Sequence, residues 1–303
     1  MIHEYAIDPG CVREPDYLLR VLAGMGCEHG RLLAEFPTGW AKRVLETSKR
    51  VAVPPMKQKA LSRRLELIRR AIVDTGRNYD DDSAWYTNAR QSRPPFRAVV
   101  SPETDGCPEL ISLGTDLGEC ERWAVERGCV VPRKAHDLAA VLAPLIRNAR
   151  EVVFVDPHFS PDTDRWRRPL VEFLERARRA ERCEFHLGSR ATEDHFLEGL
   201  EHKLGPDLPA NRPVLFVRWK RRQLGEALHA RYVLTEFGGV RIDFGLDEGD
   251  SGETTDLELL DKQVWARRRA DFSLGAATFE QVGKPARLTR LSNGTVLLET
   301  LQR

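Results

Sequence analysis

The chain lacks any C-x-x-C pair. Its six cysteines, Cys11, Cys27, Cys107, Cys120, Cys129 and Cys183, come no closer than nine residues apart. That spacing argues against a zinc ribbon or a dithiol redox motif. No apolar run approaches the ~18–20 residues that a membrane-spanning helix needs, so no membrane span is expected. The opening MIHEYAIDPGC has no basic segment followed by an apolar stretch, which argues against a signal peptide and for a cytoplasmic protein with reduced thiols. One-signed charge is also missing: 47 Lys and Arg against 46 Asp and Glu leave a net charge of +1. This excludes a generally basic protein that coats nucleic acid, but it leaves room for a local basic groove. There is no internal repeat, no low-complexity tract and no metal-ligand cluster, so neither metal nor cofactor is expected.

What is present is an Arg-rich sequence of 303 residues, 41% hydrophobic and 31% charged, long enough for two domains. Residues 1–134 read as an α+β domain whose role the sequence does not reveal. Leu61, Leu65, Ile68 and Ile72 recur at helical spacing after the Val53-Pro54-Pro55 break, and FRAVVS and ELISLG read as short strands. Asp80, Asp81 and Asp82 are adjacent in a turn-rich stretch; helix capping or solvation suits them better than a shared metal ion.

From Ala135 the pattern sharpens. EVVFVD, CEFHLGS, PVLFVRW, ALHARYVLTE and GGVRIDFGLD read as strands, and helices of 10–15 residues lie between several of them. The expected fold for residues 135–275 is α/β, a mixed sheet flanked by helices. Residues 276–303 read as a terminal hairpin about Asn293-Gly294.

The chemistry concentrates in Leu228-His229-Ala230-Arg231-Tyr232. On an extended strand, His229 and Arg231 would share a face. An imidazole can attack phosphorus while a guanidinium neutralises the non-bridging oxygens. A structural histidine is the simpler alternative for His-x-Arg taken alone. His158 follows Asp156-Pro157 at the carboxyl end of a strand, where α/β sheets place ligands. Asp156 there can cap a turn or hold a site group. Two basic clusters with tryptophan, Arg165-Trp166-Arg167-Arg168 and Arg218-Trp219-Lys220-Arg221-Arg222, are either phosphate- and base-contacting groups or solvated charge. The acidic, Gly-rich stretch after Gly245-Leu246-Asp247 reads as a lid or rim, since it lacks the EF-hand spacing.

The region resembles the phospholipase D superfamily, whose H-x-K-x4-D motif is matched here by His229, Arg231 and Glu236. The order of strands and helices before it, with Asp156-Pro157-His158-Phe159 and Gly245-Leu246-Asp247, is most similar to the phospholipase-D-like domain of MIT-domain trafficking proteins. The resemblance covers about 140 residues. It implies a phosphodiesterase or nuclease with His229 as nucleophile, Arg231 as phosphate clamp and Glu236 as support; His158 either supplies the missing general acid or fills the aromatic position with which relatives line the pocket. Asp156, Arg165, Arg218, Trp219 and Arg221 would then contact substrate. Family enzymes pair two His-Lys motifs, so one motif implies a homodimer or a larger assembly. Stand-alone relatives occur in phage defence, and the degenerate trafficking relatives imply the alternative of a non-catalytic binding or scaffold subunit.

Overall fold

The computed structural model describes residues 1–103 and 105–301. The chain divides into two units, Met1–Arg127 and Gly128–Arg303. The boundary precedes the one expected at 134 because β6 (Gly128–Pro132) pairs antiparallel with β12 (Thr254–Leu259) and so belongs to the second sheet.

The first unit holds β1 (His3–Ile7), β2 (Arg31–Ala34), β3 (Ile72–Val73), β4 (Ala98–Ser101) and β5 (Leu110–Ser112) in the order β3-β2-β1-β4-β5. Every pairing is parallel, so this unit is α/β where the sequence suggested α+β. Its helices are α1 (Pro15–Ala23), α2 (Trp40–Arg50), α3 (Pro55–Leu67) and α4 (Trp85–Gln91). Pro55 starts α3, where its fixed φ costs nothing. The helical spacing runs on to Ile72, but Ile72 and Val73 pair with Leu33 and Ala34 as β3, the arrangement β-branched residues favour. Asp80 folds back on its own turn, accepting from the Asp82 amide at 3.0 Å and the Ser83 hydroxyl at 2.6 Å. Asp80 thus belongs to a local turn and does not cap α4, whose N-cap position is held by Ala84.

In the second unit, β7 (Glu151–Val155), β8 (Arg182–Gly188) and β9 (Val214–Lys220) run parallel at the centre of a ten-stranded sheet. On one side of β7 follow β10 (Arg231–Thr235), β11 (Gly239–Ile242), β12 and β6, all antiparallel. On the other side β9 is flanked by β13 (Glu280–Gln281) and by the hairpin β14 (Ala286–Arg290) and β15 (Val296–Thr300). That hairpin turns at Asn293-Gly294, as its sequence indicates, and docks on β9 as part of the sheet.

Helices α5 (Ala135–Ile146), α6 (Asp164–Arg176), α7 (Glu193–Gly199) and α8 (Lys262–Asp271) complete the unit. The central strands are buried on both faces, which is why EVVFV and VLFV read as apolar runs, while β8 also buries Glu184 and His186. Phe154, Phe173, Phe185 and Phe216 stack on one face, with Phe159 against Phe185 at 4.3 Å between ring centres. Val153, Val155, Val217, Trp219, Tyr232, Trp265 and Phe272 form a second cluster, as the period-2 alternation requires. Part of the expected lid is β12. Its Thr255, Leu257 and Leu259 point inward and alternate with outward Thr254, Asp256 and Glu258. Among the described residues no helix is long and apolar enough to cross a membrane.

Candidate phosphate site at one sheet edge

Strand polarity builds the site. Because β7 and β10 are antiparallel, with Tyr232 opposite Val155, the carboxyl end of β7 meets the amino end of β10. That register brings Asp156 and His158 to the same sheet edge as His229 and Arg231. Parallel β8 ends at this edge and delivers Ser189 and Arg190. β11, whose Ile242 lies opposite Arg231, delivers residues 243–247.

Asp156 is fully buried under this edge. It accepts from the His158 amide at 2.9 Å and from the Leu246 amide at 2.8 Å. Burial pushes its carboxyl up to about 6, offset in part by those two amides and by the Arg231 charge. Gly245 has φ +145°, and a Cβ there would lie 2.6 Å from Asp247 Oδ1 and 3.1 Å from Asp156 Oδ2. Only glycine lets the 245–247 segment close over the aspartate. Gly188 serves the neighbouring turn, where a Cβ would lie 2.6 Å from the Pro157 carbonyl oxygen.

Asp156 also fixes a pH dependence. A raised acid pKa means that the folded state keeps a proton which the unfolded chain, near 3.8, releases. Stability is therefore expected to fall as pH rises from about 4 to 6, by on the order of 3 kcal/mol. Urea unfolding of the protein beside Asp156→Ala across that range checks this; parallel slopes for the two would contradict it.

The His158 imidazole is held below its usual range, first by burial and then by the charges of Arg190, Arg231 and His229. Those four groups thus share one electrostatic neighbourhood. Arg231 is anchored through Nη1 to the Asp243 carbonyl at 3.1 Å, while its Nε–H is buried with no hydrogen-bond acceptor among the described residues. An unmet guanidinium donor among imidazoles is suited to an anion.

Several sequence expectations change. His229 does not share a strand face with Arg231: it is exposed in the loop before β10, because β7 leaves the sheet at Asp156-Pro157 and residues before Arg231 have no ladder partner there. Glu236 does not support the site. It lies past the far end of β10 and accepts the Arg150 and Glu151 amides at 2.8 and 3.2 Å, about 16 Å of strand from Arg231.

Trp219 cannot stack a base, being 1% exposed with its indole N–H donated to His186 Nδ1 at 2.8 Å. His186 in turn meets Glu184 at 2.9 Å, making a closed buried chain. Arg218 is buried against Phe196 and paired with Glu193 at 3.1 Å. Arg221 is exposed and donates to the Gly225 carbonyl at 2.7 Å. Arg165 pairs with Asp247, which also takes Arg133 at 2.8 Å. Among the described residues, no group of three or more His, Cys, Asp or Glu side chains is placed to hold a metal ion.

Arg190, Arg133 and Asp247 were not singled out as site groups from sequence. Arg190 was open to discovery, because it follows a strand parallel to β7 and must end at the same edge.

No family model and no curated protein sequence matches the chain. Among solved structures it is similar to a phospholipase D family member, Nuc, from Salmonella typhimurium. That match has 7% identity and a TM-score of 0.34 over 51% of this chain and 97% of that one. It is also similar to TrmBL2, an archaeal chromatin protein described with a novel mode of DNA binding. Here the identity is 13% and the TM-score 0.29, over 82% of this chain and 69% of that one. With TM-scores below 0.5, these likenesses assign neither family nor activity.

Proposed function

We propose that the second unit is a phospholipase-D-like phosphodiester-handling domain, and more particularly a metal-independent phosphodiesterase acting on nucleic acid. The observation that carries this reading is the strand register that brings the ends of β7 and β8 and the start of β10 to one sheet edge, and with them His158, Arg190, His229 and Arg231.

The chemistry follows from these side chains. A neutral His229 nitrogen attacks phosphorus while Arg231 and Arg190 balance the charge on the non-bridging oxygens. The phosphodiester anion offsets the Arg190 and Arg231 charges that add to burial in depressing His158, so His158 gains a proton as substrate binds. That proton goes to the departing alkoxide as its bond to phosphorus breaks, leaving a phosphohistidine on His229. Water then attacks this phosphorus, His158 takes up its proton, and the phosphate monoester leaves with His229 restored. One chain supplies both imidazoles in this scheme.

The test is cleavage of bis-p-nitrophenyl phosphate and of DNA and RNA oligonucleotides in EDTA, with His229→Ala alongside. Cleavage that persists in EDTA and disappears in the variant is expected. A folded wild type that binds these oligonucleotides without cutting them would instead assign the edge to a binding module.

A further inference from the structure

Phe244 lies beside the phosphate edge and is 59% exposed, although its surroundings are ordered by several contacts. Its amide donates to the buried Thr255 hydroxyl at 3.2 Å, and the preceding Asp243 amide donates to the Asp256 carbonyl at 3.1 Å. One face of the ring is taken by the Arg133 guanidinium, 5.4 Å from its centre. Arg133 itself is fixed by Asp247 and by Glu253 at 2.9 Å. The chain around Phe244 touches the site on both sides: Asp243 holds Arg231, and Gly245 lies against Asp156.

An aromatic ring with a guanidinium on one face and the rest open to solvent, beside a cluster of cations, matches one ligand class closely. Nucleic acid single strands offer a phosphate for the cations and an unpaired base for the ring. A duplex keeps its base faces covered by stacking, so it offers the phosphate alone.

Three carboxylates of the acidic loop nearby are paired with arginines, which lowers its repulsion of such a ligand. Asp247 is neutralised by Arg133 and Arg165, Glu253 by Arg133, and Glu248 faces Arg168 at 3.7 Å and caps the Ala135 amide at 3.1 Å. Arg190 and Arg231, which make no ion pair among the described residues, are left to face the polyanion.

We infer that Phe244 is the base-stacking platform of this site, which makes the ligand class a single-stranded nucleic acid. The inference rests on reading the edge as a phosphate site. The two are separable by experiment, because stacking needs a base and the phosphate contacts do not.

The test is fluorescence anisotropy of the full chain, in EDTA and low salt. The probes are a labelled oligothymidylate of roughly 12 nucleotides, an abasic strand of equal length and a duplex. The intact single strand is expected to bind about tenfold more tightly than the abasic strand. Phe244→Ala should remove that difference, while Phe244→Trp should keep it and show quenched emission on binding.

Equal affinity for intact and abasic strands, with Arg231→Ala weakening both, would overturn the platform and leave the phosphate site standing. No binding of any probe by the folded wild type, or binding untouched by Arg231→Ala, would overturn both.

Discussion

Replacing His229 with alanine is expected to lower metal-independent phosphodiester cleavage by about 10²–10⁴-fold, and His158→Ala by a comparable factor. Neither change should cost much stability. His229 is exposed in a loop, and among the described residues its side chain makes no hydrogen bond; His158 contributes its backbone amide, not its ring, to Asp156. The melting temperature therefore separates a chemical role from a structural one.

The double variant should be no worse than the poorer single one, because in the proposed reaction the two imidazoles serve successive proton and phosphoryl transfers. Mixing the two single variants also distinguishes the scheme from a shared site. With both imidazoles in one chain the mixture stays inactive, whereas a site completed across a homodimer would recover activity in the mixed dimers. Steady-state rates and a calorimetric scan of each variant provide the check.

Phe185→Ala is expected to destabilise the second unit by about 3–5 kcal/mol, and to damage the site with it. The ring is 1% exposed and stacks between Phe154 and Phe216, at 6.0 Å from each. It also holds Phe159, the residue after His158, at 4.3 Å. The lost contacts would not be recovered by collapse, since β7, β8 and β9 are fixed by their ladders on either side. Phe185→Leu keeps most of the volume and should cost about 1–2 kcal/mol. Urea unfolding measures the stability, and activity at a temperature where both variants are folded measures the displacement of His158.

The parallel core was legible because its strands are buried on both faces: EVVFV and VLFV read as apolar runs, and CEFHL departs from that pattern only at the buried pair Glu184 and His186. The β12 segment was not, although TTDLEL alternates perfectly, because its outward aspartate and glutamate merge with the acidic loop before it. The site was half legible. Asp156 and His158 could be placed from the rule that ligands gather at carboxyl strand ends. His229 carried a false signal: Leu228 and Ala230 extend the apolar pattern of β10 backwards, yet the neighbouring strand has already left the sheet there.

Trp219 and Arg218 misled for a related reason. Their composition resembles a nucleic-acid contact, but β9 is an interior strand, so one side chain enters the core and the other packs on Phe196. Sequence shows that residues alternate and does not show how many layers cover them. Phe244 was hidden by the reverse problem, since a lone phenylalanine in a strand-like run reads as core. Only its exposure in the folded chain marks it out.

The most direct measurement is a crystal structure of the chain with vanadate, which adopts the geometry of a phosphoryl group in transfer. The account predicts the ion at the edge formed by the ends of β7 and β8 and the start of β10, with His229 and His158 on its opposite apical sides and Arg231 on its equatorial oxygens. Vanadate bound elsewhere, or held by one imidazole with the other beyond about 6 Å, would contradict it.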